Sequence, residues 1–178
     1  TNYDDFSYLD KYYFWKARHN NIRDQGQSIL DSPNVAGWPA YYQNPLYHEY
    51  WITSVTLPMR TSQVNYYLQN NGIRASLQNS DLRIKSDPLK FVKNLEKPDD
   101  INLIIETLCK WLFPVYNEIS DTKKTDLTNI VIGNNPNIWK DEYNDYINGP
   151  SDEKEESLNK KLRSLLKEIC LMPESYLS

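Results

Sequence analysis

From residue 152 onward, Leu158, Leu162, Leu165, Leu166, Ile169 and Cys170 recur at helical spacing, and no strand-like alternation of comparable length occurs anywhere in the 178-residue chain. An apolar stripe of period 3.6 must be buried against other elements, so one such helix already demands partners of its own kind. Asp152, Glu153, Glu155 and Glu156 lead this helix while Lys160, Lys161, Arg163 and Lys167 follow, an order that complements the helix dipole. Asp152 and Glu155 have the spacing of a capping box, and Met172-Pro173 ends the run.

The partners are legible upstream. Asp99 or Asp100 opens a helix that carries Ile101, Ile104, Ile105, Leu108, Trp111 and Leu112 on one broad buried face and stops before Pro114. Asp87-Pro88 reads as N-cap and first helical residue of a shorter helix with Leu89, Val92 and Leu95, closed before Pro98. Ser120 caps a helix bearing Leu127, Ile130 and Val131 that ends at Gly133. After Pro136, Trp139, Tyr143 and Tyr146 or Ile147 give a short aromatic-faced helix ending at Gly149. Near the N-terminus, Asp4 or Asp5 caps a long helix through Phe6, Leu9, Tyr13 and Ala17 that continues through Ile22, Gly26, Ile29 and Leu30, with Gly26 a place for a kink or a close helix crossing. Thr56 or Ser54 caps another, with Pro58 in its first turn and Gly72 past its end. Residues 70–86 are polar; Leu82 with Ile84, or the stretch 52–55, could form a short β-bridge. The expected fold is therefore all-α: an irregular bundle of about six to eight helices over residues 1–178 as a single domain, with a long ordered aromatic and proline loop.

Composition removes several function classes. A net charge of −4 without any Lys/Arg block argues against a nucleic-acid partner, which needs clustered positive charge. No window approaches the roughly 18 consecutive apolar residues of a membrane span. Five glycines, with no GxGxxG or GxxxxGK, do not supply a phosphate-binding loop, and no cofactor is expected. Cys109 and Cys170 sit inside apolar helical patterns and read as small buried hydrophobes rather than ligands or a disulfide.

The segment that the helices leave over is the most unusual one. Six of the fourteen residues from Trp38 to Trp51 are aromatic, against 13% for the chain, and they lie among prolines and a glycine. Pro33, Asn34, Gly37, Trp38, Pro39 and Trp51 read as a structural loop: the prolines pre-set extended backbone, Gly37 supplies a positive φ, and the indoles fill the gap between flanking helices. Tyr41, Tyr42, Tyr47, His48 and Tyr50 are the candidate binding residues, since rings with polar tips suit a glycan or a peptide. Arg60 is expected to fix this loop to its helix through a carboxylate such as Asp31 or Glu49, or else to hold an anionic ligand. A hydrolase reading would use His48 with Glu49 or Asp24, but His19 and His48 lack the spacing of a zinc motif and no nucleophile elbow is present. Asp141, Glu142 and Asp145 miss the calcium-loop spacing and read as a solvated helix face; no metal is expected.

The blocks Pro33-Asn34-Val35-Ala36-Gly37-Trp38-Pro39 and Trp51-Ile52-Thr53-Ser54, then Thr56-Leu57 before Arg60, resemble the domain-of-unknown-function family numbered 1800, whose members carry P-N-V-x-G-W and W-I-N-[ST]-x-T-L stretches. Ser32 stands where a second proline is common and Thr53 where asparagine is. The ending Leu171-Met172-Pro173-Glu174-Ser175-Tyr176-Leu177 is similar to that of Bacteroidetes-type members. The resemblance implies the C-terminal helical part of a longer exported protein, periplasmic or at the outer surface, whose partner is the remainder of its own chain. It implies no reaction and no catalytic residues. The leading expectation is a non-catalytic structural or interaction module; a glycan- or peptide-binding surface on residues 38–51 and a hydrolase around His48 and Glu49 are the alternatives.

Overall fold

A computed structural model describes residues 6–25, 53–76, 81–113, 119–133 and 135–176. The chain divides into two compact units, Thr1–Lys85 and Ser86–Ser178. Among the described residues there are seven α-helices and one two-stranded antiparallel sheet, an all-α multi-helix fold. None of these helices is long and apolar enough to cross a membrane.

In the first unit, α1 (Tyr8–Asp24) is capped by Ser7, whose hydroxyl oxygen accepts from the Asp10 amide at 3.2 Å while its proton goes to the Asp10 carboxylate at 2.6 Å. The hydrogen bond from Ser7, with a smaller one from Ser76, holds the Asp10 carboxyl below the usual carboxylate range. The expected caps Asp4 and Asp5 lie outside the described residues, and the helix ends at Gln25, before Gly26. The second helix, α2 (Thr56–Tyr67), follows Val55, which brings no side-chain cap. Neither Ser54 nor Thr56 is the N-cap; two threonines close the turn reciprocally instead. Thr53 Oγ1 accepts from the amides of Val55 and Thr56, and Thr56 Oγ1 accepts from the Thr53 amide at 2.9 Å. The helices α1 and α2 pack on each other, and Asn21 donates from Nδ2 to the Tyr67 hydroxyl at 3.0 Å.

After α2 the polar excursion forms a hairpin, β1 (Ile73–Arg74) pairing antiparallel with β2 (Arg83–Ile84) in the register Ile73↔Ile84. The expected bridge at Leu82 and Ile84 is present, and its partner is the segment directly after Gly72. Gly72 has φ +71°, and a Cβ there would meet the Ile84 carbonyl oxygen at 2.7 Å, so both the turn and the close strand require glycine.

The second unit is organised by its last helix. Around α7 (Asp152–Leu171) pack α3 (Pro88–Val92), α4 (Ile101–Leu112), α5 (Asp121–Ile132) and α6 (Ile138–Asn148). Leu158, Leu162, Leu165 and Ile169 of α7 meet Leu89, Val92, Ile104, Cys109, Leu127 and Trp139 in one continuous core. The caps follow the sequence closely: Asp87 for α3, Asp100 for α4 and Ser120 for α5, which Gly133 closes at φ +54°. At α7 the cap is Ser151, whose extended backbone (φ −145°, ψ 155°) lets its hydroxyl reach the Lys154 amide; Asp152 is the first helical residue rather than half of a capping box. Lys154 in turn donates from Nζ to the carbonyls of Asp145 and Gly149, satisfying the end of α6. A 3₁₀ turn at Pro173–Tyr176 follows, held to α5 by the ion pair of Glu174 with Lys123.

Two polar side chains are buried in this core. Asn159, 4% exposed, accepts the Leu89 amide hydrogen at 3.0 Å through Oδ1. Arg163, 2% exposed, donates to the Ser86 carbonyl at 2.9 Å and to Glu156 at 2.6 Å. The Asn159 bond lands on the first turn of α3, where helical N–H groups have no partner within the helix, and Arg163 holds the carbonyl just before that helix's cap. Replacing Asn159 by leucine keeps the volume and strands the Leu89 N–H. The expected cost is about 1–3 kcal/mol, read as a lower urea midpoint with an unchanged denaturant slope; an unchanged midpoint would show that the bond contributes nothing net.

Candidate functional site

Most of the residues singled out from the sequence lie outside the described residues: Pro33, Asn34, Gly37, Trp38, Pro39, Tyr41, Tyr42, Tyr47, His48, Tyr50 and Trp51, together with Asp31 and Glu49. Arg60 is described; it is half-buried in the second turn of α2, on the same face as Gln63 and Tyr67 by helical spacing. His19 is exposed on α1. On α6, Glu142 pairs with Lys161 at 2.7 Å and Asp145 with Lys154 at 2.9 Å, and no metal-competent group of three side chains occurs among the described residues. Cys109 and Cys170 are free thiols, as expected.

The strongest candidate site lies elsewhere, where α3, α4 and α7 meet. The sequence placed Trp111 on the buried face of α4, and the structure corrects this: its indole is 74% exposed. Seven residues from Ile104, Trp111 does share that residue's helical face, but in the last turn of α4 the face lacks the cover that buries Ile104. Its indole instead leans edge-on against Phe91 of α3, ring centres 5.3 Å apart and planes at 63°. Leu112 beside it is also exposed, as is Ile130 on α5. Behind Trp111 and Phe91 opens a groove of about 250 Å³ floored by Val92 and Leu162 and walled by Leu108 and Leu166. Its polar end is Ser86 and Asp87, and the Asp87 carboxylate is already engaged at 3.3 Å by the Lys90 amide of its own helix.

What this groove can do follows from its lining. It offers desolvated apolar surface with one aromatic rim, suited to bulky apolar side chains and unsuited to acid–base work. Phe91 had no sequence signal, because its pairing with a residue twenty positions later depends on how α3 and α4 pack. A depression of about 350 Å³ between the starts of α4 and α6 is larger but carries charges that face each other, with Lys140 3.8 Å from Asp99.

The first unit has a second bare apolar face. Tyr8, Tyr12, Trp15 and Ile22 follow one stripe of α1, and Tyr8 and Trp15 are 89% and 60% exposed. Helical spacing in the sequence points to Phe6, Leu9, Tyr13 and Ala17, and on to Ile22, Ile29 and Leu30, as the apolar set, of which the last two lie outside the described residues. Phe6 is buried and Leu9 is exposed, so the spacing of the aromatic residues at 8, 12 and 15 was the signal that went unused.

No protein-family model, no curated protein and no solved structure matches this chain. The resemblance of residues 33–60 to a known family therefore rests on its motifs alone.

In the core, burial pushes the Cys109 thiol from 9.0 up to about 11, and burial raises Cys170 as well. A folded state that holds the thiol proton more tightly than the unfolded state has this stability in full below pH 9.0 and loses it as pH rises through about 11. Thermal unfolding followed across this range should show a decline that is shallower in Cys109→Ala. Identical pH profiles for the two proteins would count against it.

Proposed function

We propose that this chain is a non-catalytic helical interaction module whose groove at Trp111 docks an apolar surface of the remainder of its own longer chain, an exported protein with a periplasmic or outer-surface home. The observation that carries the reading is Trp111 itself: a tryptophan three-quarters exposed at the rim of an apolar groove, paired with Phe91. An exposed aromatic anchor beside a preformed pocket is the arrangement in which a few residues supply most of an interface's energy. The motifs Pro33 to Pro39 and Trp51 to Arg60, and the Leu171-to-Leu177 ending, support the family setting and hence the export and the longer parent chain. A surface of this composition binds through burial rather than through chemistry. That agrees with a family resemblance that implies no reaction.

Amide exchange compared between the isolated chain and its longer parent tests the proposal. Protection should rise at residues 88–92 and 108–112 in the parent, and Trp111→Ser should abolish that rise while leaving the circular dichroism of the isolated chain unchanged. Equal exchange in the two proteins would overturn the docking. A reading frame that begins and ends with these 178 residues would overturn the parentage.

A further inference from the structure

Arg18, at the seam of α1 and α2, is held by rings rather than by acids. Its guanidinium carbon lies 4.7 Å from the centre of the Phe14 ring, 4.8 Å from that of Tyr67 and 5.9 Å from that of Tyr66. Tyr67 is itself positioned by the Asn21 amide on its hydroxyl. Aromatic faces attract the charge through their quadrupoles, but they do not accept the in-plane N–H groups. Those groups are left over: Nε and Nη1 are buried and find no acceptor among the described residues.

Arg163 shows what a buried guanidinium in this same protein looks like when it is complete, with a carboxylate at 2.6 Å and a carbonyl at 2.9 Å. The two helices of the seam bring nothing of the kind to Arg18. On α1 the acids are Asp10, engaged by Ser7, and Asp24, paired with Arg23; α2 has no acid at all. The helical neighbours of Arg18 at three and four positions are Phe14, Trp15, Asn21 and Ile22, and the ring-bearing face of α2 adds Arg60, Gln63 and Val64. Among these described residues of the two helices, the charge beside Arg18 is positive only.

We propose that Arg18 is the anchor of a carboxylate-binding site at the α1–α2 seam. With rings against its faces, the guanidinium has only its in-plane N–H groups left to offer, and a carboxylate is the acceptor whose charge and lone pairs suit them. The surrounding Phe14, Tyr66 and Tyr67 rings then cover the apolar body that carries the acid. Two sources share this chemistry, a small aromatic acid and the terminal carboxylate of a peptide.

The test is titration of the intact chain with benzoate, and separately with a short peptide bearing a free or an amidated C-terminus, read at the Arg18 Nε–H resonance. Saturable shifts with benzoate or with the free peptide, absent with the amide, support the site, and the two arms tell which source it prefers. Arg18→Gln should weaken the apparent affinity by about tenfold or more, as loss of a charge-assisted contact does. Arg18→Lys, which keeps the charge and loses the planar fork, should retain part of it and guards against a folding defect in the glutamine variant. Three results would overturn the proposal: no saturation with any carboxylate, equal saturation by inorganic phosphate, or a shift of the same resonance in the ligand-free Asp31→Asn or Glu49→Gln protein, which would show that the chain supplies its own acceptor.

Discussion

The second unit depends on two polar residues of α7 that point into its core. Asn159 and Arg163 stand one helical turn apart and reach the entry to α3, Oδ1 to the Leu89 amide in its first turn and Nη1 to the Ser86 carbonyl just before its cap. A helix of five residues cannot pay its own nucleation cost, so α3 exists because its end is tied down and because Leu89 and Val92 are buried. Phe91 lies between those two residues, and its ring supports Trp111. The shape of the apolar groove thus traces back to the pair of hydrogen bonds that fix the start of α3, one of them on Ser86 at the groove's polar end. Full satisfaction of the buried guanidinium matters here, since an incomplete polar network in a core is worse than none.

Helix ends were legible where the signal is local. Asp87-Pro88, Asp100 and Ser120 with Gly133 each combine an oxygen-bearing side chain with a residue whose backbone preference fits the same position, and the structure uses all of them. The reading went astray where two local candidates competed. At α7, Ser151 and Asp152 are adjacent and either can cap; the backbone conformation selects the serine. At α2, Thr53 and Thr56 share the task, a reciprocal arrangement that no single-residue rule anticipates. The hairpin partner of Ile84 is hidden for a different reason: two-residue strands carry no alternation, and only Gly72, which turns the chain out of α2, marks where the first strand begins.

Trp111 shows the limit of periodicity. An apolar stripe tells which face of a helix is meant to be covered, and says nothing about where along that face the cover ends. For α4 the stripe runs from Ile101 to Leu112, while burial runs from Ile101 to Cys109. The same holds for α1, where none of the residues of the helix is fully buried although aromatic residues recur along it.

The excess of pattern over packing is itself informative. Exposed single apolar residues are ordinary on any surface, but Trp111 and Leu112 adjoin a groove, and Tyr8, Tyr12 and Trp15 align on one stripe. Trp111 and Leu112 extend a helix that is buried up to Cys109, so the sequence places apolar residues beyond the point where the described residues cover α4. Keeping a large aromatic in water gains nothing for folding, since its contribution to stability comes only with burial. An aromatic pair such as Phe91 and Trp111 recovers part of that through its edge-on contact, roughly 0.5–1.5 kcal/mol, and the remainder becomes available when a second surface closes over the groove. The uncovered apolar surface of this unit is therefore concentrated at the last turn of α4, beside the Phe91 ring.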